Sequence, residues 1–131
     1  MNESTKQTHK ELLDAARSAA QYAYAPRTNK KSGAALLSAD GKIYTACNIE
    51  FTNYAGSICA EEAALSKAIS EGSHKFKALA VVSNAMPCGC CLQFLSEFQD
   101  DLEIVAEIDG NIHFTSLKQL LPVYFNKNIL D

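Results

Sequence analysis

Two short cysteine motifs carry the chemistry in this 131-residue sequence: Cys59-Ala60-Glu61 and Pro87-Cys88-Gly89-Cys90-Cys91. Thiolates are soft donors suited to zinc. Cys88 and Cys91 stand at i and i+3, so in the first turn of a helix they share a face and both reach an ion lying off its end. Cys59 and Glu61 would diverge in mid-helix. In a first turn both surround the axis, so one can ligate while the other stands beside the ion. Helix N-termini favour anions by roughly 0.3–1 kcal/mol and lower thiol pKa values, which helps to hold three sulfurs as thiolates. Three thiolates around zinc leave a fourth place for water, the mark of a catalytic rather than a closed structural site. Water activated in this way loses its proton far more easily than in bulk. Glu61 would take that proton and pass it to the substrate, so that an amidine-like carbon gains oxygen and loses ammonia.

Other uses of these residues have to be weighed. A lone C-x-x-C is often redox-active or structural, and a closed zinc site would recruit a fourth ligand from His74, His113, Cys47 or Cys90. Cys47 precedes a loop, and Cys90 points off the face shared by Cys88 and Cys91. A redox dithiol leaves Cys59 and Glu61 without a role. Glu61 alone also suits the dipole at a helix start. The combination at this spacing predicts catalytic zinc at Cys59, Cys88 and Cys91.

From Cys59 to Cys88 is 29 residues, so topology must bring the two motifs together. Apolar periodicity predicts a helix over residues 8–24, ended by Pro26. A buried strand follows over 33–38, a hairpin turn over 39–42 and a paired strand over 43–50. Residues 51–57 read as a loop, and 58–71 as a helix stopped by Gly72. The β-type run 76–83 has the length of a central strand. A second helix is predicted over 88–98, a strand over 102–108, a turn at Asp109-Gly110 into a strand over 112–114, and a short helix over 116–121 before Pro122. This alternation predicts an α/β layered fold in a single domain, residues 1–131. With parallel pairing, both helix starts fall at one edge of the sheet.

Bulk properties narrow the partners. A chain of this length with 47% apolar residues can build a core without a structural metal, so the ligands call for another reason. The net charge is −3, the twelve Lys and Arg are scattered and Trp is absent, which argues against nucleic acid. The first residues are polar and unlike a signal peptide, and no apolar run approaches the ~18 residues that span a bilayer. A soluble, cytoplasmic protein with no membrane association is expected. There, an odd set of five cysteines reads as thiols or ligands.

The segments GAALLSADGKIYTACNIE, ICAEEAALSKAIS, PCGCC followed by LQ, and LLPVYF resemble the small homotetrameric cytidine deaminases, and the likeness runs from about Ala23 to Phe125. The resemblance implies a three-layer α/β/α fold with a five-stranded mixed sheet. It implies one zinc per subunit on Cys59, Cys88 and Cys91, with Glu61 as proton shuttle. Asn48 and Glu50 match the family's N-x-E pair, which binds ribose hydroxyls. At i and i+2 on a strand they would share a face, and strand-end capping is the plainer use for them. The family also implies a backbone contact to the pyrimidine at Ala60, an aromatic from a neighbouring subunit at Phe125, a small pyrimidine nucleoside as substrate and a homotetramer. As an ordinary residue, Phe125 would simply belong to a C-terminal core.

Three departures stand out. The family usually places Arg after C-A-E and after the second cysteine of P-C-x-x-C, where this sequence has Glu62 and Leu92. Lys30 occupies a place where Phe often stacks on the base; its alternatives are a solvated charge or a contact to an anionic group. The loop Asn84-Ala85-Met86 is shorter than usual. The blasticidin S deaminase branch also lacks Arg after C-A-E. The expected activity is therefore hydrolytic deamination of cytidine and deoxycytidine. The alternatives are a modified aminopyrimidine nucleoside such as blasticidin S, or a catalytically silent zinc-binding scaffold.

Overall fold

In a computed structural model that describes residues 1–125, helix α1 spans Glu3–Ala20, starting and ending earlier than its apolar spacing predicts. The early start comes from Asn2, whose side-chain oxygen accepts from the Thr5 amide at 2.8 Å as an N-cap. The early end has a partner in the next layer: the Tyr24 amide donates to the Asn48 carbonyl, and Glu50 donates back to the Tyr24 carbonyl. Residues that could have extended the helix are tied instead to the segment after β2.

The remaining elements are β1 (Gly33–Ser38), β2 (Ile43–Cys47), a 3-10 turn (Tyr54–Gly56), α2 (Ala60–Ser70), β3 (Phe76–Ser83), α3 (Gly89–Ser96), β4 (Glu103–Ile108), β5 (Asn111–Ser116) and α4 (Leu117–Leu120). The five strands form one mixed sheet in the order β2-β1-β3-β4-β5. Strand β1 is antiparallel to both β2 and β3, so those two run the same way, and β4 runs parallel to β3. Helices α2 and α3 follow β2 and β3 respectively, and so both begin at the same edge of the sheet. That edge is where the two cysteine motifs meet.

Alternation along the strands sorts side chains to two faces. Ala34, Leu36, Leu79, Val81, Ile104 and Ala106 pack with Ala64 and Leu65 of α2 and with Leu92 and Leu95 of α3. Ala35, Ala78, Ala80 and Val105 pack under Leu12, Leu13 and Ala16 of α1. The result is the expected three-layer α/β/α sandwich. Helix α2 ends as predicted at Gly72 (φ 93°), in a left-handed conformation that suits glycine. The Ser73 amide reaches back to Ala68 at 2.9 Å, closing the helix end.

Strand β2 is shorter than the predicted 43–50. It ends at Cys47, beyond which Asn48 turns its amide to the Ser32 carbonyl. Ile49 alone continues the pairing, bridging to Tyr24 on one side and Ile58 on the other.

Gly33 lets α1 sit directly on β1. A Cβ at this position would lie 1.9 Å from the Ala16 carbonyl oxygen and 2.7 Å from the Ala20 amide nitrogen. Both are backbone atoms of a helix and cannot rotate aside. We expect Gly33→Ala to cost about 3 kcal/mol or more, the upper range for overpacking, read as a drop in the urea midpoint at unchanged m-value.

Candidate metal centre and active-site groove

Cys59 and Cys88 are the N-cap residues of α2 and α3, and both hold extended backbone geometry (φ −76°, ψ 156° and φ −73°, ψ 162°). Cys91 lies one turn into α3, where its amide donates to the Cys88 sulfur at 3.4 Å. The three sulfurs lie within 4.8 Å of one another. Tetrahedral zinc with bonds of ~2.3 Å places its sulfurs ~3.8 Å apart, so a small inward turn of the side chains closes the set. Among the described residues no other His, Cys or carboxylate joins this cluster. The candidate fourth ligands are elsewhere: His74 stacks on Phe98, Cys90 is exposed, and His113 lies on β5. The donor set fits a metal with one place left over.

A hydrogen bond between two of the sulfurs sets their acidity apart. Cys59 is lowered to about 7, chiefly because the Cys91 thiol donates to it and more weakly through Cys88; burial and Glu61 work against this. Cys91 is pushed up by giving that hydrogen bond and by its own burial. Glu61 is 6% exposed. Burial raises its carboxyl above the usual range, opposed by its own backbone amide and by Cys91. This acid stands next to the sulfurs, in the first turn of α2.

The centre opens into a groove of about 470 Å³, within the range of small-molecule sites. Cys59, Ala60, Glu61 and Cys88 line it together with Asn48, Glu50, Arg27, Thr28 and Lys30. The short loop Asn84, Ala85 and Met86 makes part of the wall. Both polar residues that follow β2 hold the loop opposite. Asn48 accepts from the Ser32 amide at 2.8 Å and donates to the Lys30 carbonyl at 3.0 Å. Glu50 accepts from the amides of Arg27 and Thr28 at 2.9 and 3.3 Å and from the Thr28 hydroxyl at 2.7 Å. These contacts, the Thr28 hydroxyl first, hold the Glu50 carboxyl below the usual carboxylate range.

A profile of the family described as the cytidine and deoxycytidylate deaminase zinc-binding region matches residues 6–107. That segment contains all three sulfurs, Glu61 and the Asn48/Glu50 pair. This chain belongs to that deaminase family. A cytidine deaminase of Sporosarcina psychrophila is 40% identical over 126 residues, covering 92% of this chain and 93% of that protein. The solved cytidine deaminase of Burkholderia pseudomallei aligns with a TM-score of 0.83 at 40% identity, covering 89% of this chain and 98% of that one. A blasticidin-S deaminase of Bacillus cereus is 27% identical over 108 residues, 73% of this chain and 77% of that protein.

Within the cytidine and deoxycytidylate deaminase family, this chain has no arginine at the two places noted above. Leu92 is 4% exposed and packs in the core beneath α3, and Glu62 lines a separate hollow between α2 and α3. The sulfurs lie instead at the amide ends of α2 and α3, which favour anions. Lys30 lines the groove, with its amide bonded to the Thr28 hydroxyl. Phe125 is not among the residues lining this chain's groove; it is 60% exposed, and its carbonyl accepts from the Gln93 side chain at 2.7 Å. The sequence motifs did not single out Thr28 or Tyr54. Tyr54 lies beneath the Arg27 guanidinium at 5.7 Å, and both line the groove. No helix among the described residues is long and apolar enough to cross a membrane.

Proposed function

We propose that this chain is a zinc-dependent hydrolase that deaminates cytidine and deoxycytidine to their uridine forms with release of ammonia. One observation carries this: three sulfurs from two helix starts converge beside a buried glutamate, and Cys59, Cys88 and Glu61 line the same groove as Asn48 and Glu50. Bound at Cys59, Cys88 and Cys91, zinc supplies the acidity that lets water part with a proton near neutrality. Glu61 receives that proton and delivers it to the ring nitrogen, then carries a second proton, given up by the added oxygen as it becomes a carbonyl, to the departing amine. Its burial favours a carboxyl able to hold a proton between the two transfers. The backbone at Ala60 orients the pyrimidine, while Asn48 and Glu50 take the sugar hydroxyls. Phe125 serves the groove of a neighbouring copy in a homotetramer, a role supported by its exposure and by its not lining this chain's own groove. The whole chain is a single cytoplasmic domain acting on a small nucleoside, with no nucleic-acid or membrane partner.

Incubating the zinc-loaded protein with cytidine should change the ultraviolet absorbance of the pyrimidine and release one ammonia per base. A second reading, deamination of a nucleoside antibiotic such as blasticidin S, draws on Lys30 in the groove and on the Bacillus cereus relative. Turnover of blasticidin S with no response to cytidine would move the assignment to that reading.

A further inference from the structure

The hydroxyl end of the groove has a hydrogen-bonding capacity that can be counted. An ionised carboxylate offers about four acceptor sites, two per oxygen. In Glu50, Oε1 takes the amides of Arg27 and Thr28, and Oε2 takes the Thr28 hydroxyl. One acceptor site is left, on Oε2. Asn48 has spent one acceptor site on Ser32 and one donor on Lys30, which leaves one of each. Thr28 is the hinge of this arrangement. Its single hydroxyl donates to Glu50 Oε2 at 2.7 Å while accepting from the Lys30 amide at 3.0 Å, so neither partner can turn without breaking a bond. The other two donors to Glu50 are amides on the opposite oxygen.

We propose that Thr28 is a positioning residue. Its hydroxyl holds the Glu50 carboxylate in the one rotation that leaves a single Oε2 lone pair facing the groove, so the site selects substrates with a sugar hydroxyl able to donate there. This rests on the reading that Glu50 receives the sugar. Without the Thr28 hydroxyl the carboxylate is held at Oε1 alone, Oε2 can offer either lone pair, and the entropy of fixing it then falls on the substrate. The effect belongs to binding of the sugar, away from the reacting carbon, so KM should move and kcat should not.

The test uses the zinc-loaded enzyme with cytidine and with 2′,3′-dideoxycytidine, which keeps the base and lacks both hydroxyls. Thr28→Val should raise KM for cytidine roughly tenfold, the size of one hydrogen bond to a charged group. Its kcat should stay near that of the parent, and its KM for the dideoxy compound should be unchanged. Thr28→Ser keeps the hydroxyl and should restore the parent KM. Glu50→Gln serves as the reference. If Glu50→Gln penalises cytidine selectively while Thr28→Val shifts both substrates equally or neither, the role of Thr28 is overturned and that of Glu50 stands. If Glu50→Gln itself shifts both substrates equally, the sugar-binding reading falls and the proposal falls with it.

Discussion

Glu61→Gln should lower kcat for cytidine by at least 10²–10⁴-fold, the range attributable to a positioned general acid–base, while zinc content stays at one per chain. Glutamine keeps the shape and the hydrogen-bonding reach of the side chain but can neither take nor return a proton. The site is suited to this test because Glu61 is 6% exposed, so bulk water has poor access to replace it. Burial disfavours its charge, and removing that charge should leave the thermal midpoint the same or higher. Loss of activity by unfolding can therefore be told from loss of the proton path by measuring melting, metal content and kcat on one preparation. A variant within tenfold of the parent kcat would remove Glu61 from the mechanism. A parent inactive toward every aminopyrimidine nucleoside tried would point to a zinc-binding scaffold instead.

Stripping zinc with a chelator should abolish turnover, and one equivalent of the ion should restore it. The same step should shift stability. An ion present at ~1,000 times its Kd adds about 4 kcal/mol to the folded state, which for a domain of this size is roughly 10–15 °C in Tm. The geometry explains why so much should ride on one ion: Cys59 caps α2, Cys88 caps α3 and Cys91 lies in the first turn of α3, so a metal on all three would fasten α2 to α3 across 29 residues of chain. Cys91→Ser should reproduce the stripped state even with zinc added, since a hydroxyl is a poor substitute for thiolate. Cys90→Ser and Cys47→Ser should keep the metal, because neither sulfur belongs to the cluster. Retention of full zinc and activity by Cys91→Ser would break the ligand assignment.

What could be read before folding follows from how local each signal is. Strands 33–38 and 76–83 match the structure residue for residue because each is a buried apolar run bounded by turn formers. The cluster of three sulfurs was legible because cysteine at helix starts is chemically specific. Helix α1 began earlier than expected because its first turns are polar, and periodicity detects only a buried face; the local signal was the Asn2 cap. Strand β2 was drawn too long because Asn48, Ile49 and Glu50 continue in extended form while their partners change from β1 to Ser32, Tyr24 and Ile58. Thr28 and Tyr54 escaped notice for a related reason. Their importance comes from facing Glu50 and Arg27, and no spacing along the chain announces that.

The reciprocal pair of backbone hydrogen bonds between Ile49 and Ile58, 3.0 Å in each direction, ties the residue between Asn48 and Glu50 to the residue just before Cys59. The two sets of residues that line the groove are thus marks on one rigid ruler. A molecule that reaches both is measured against a fixed length. A free base touches only one mark, so it should bind far more weakly than the nucleoside.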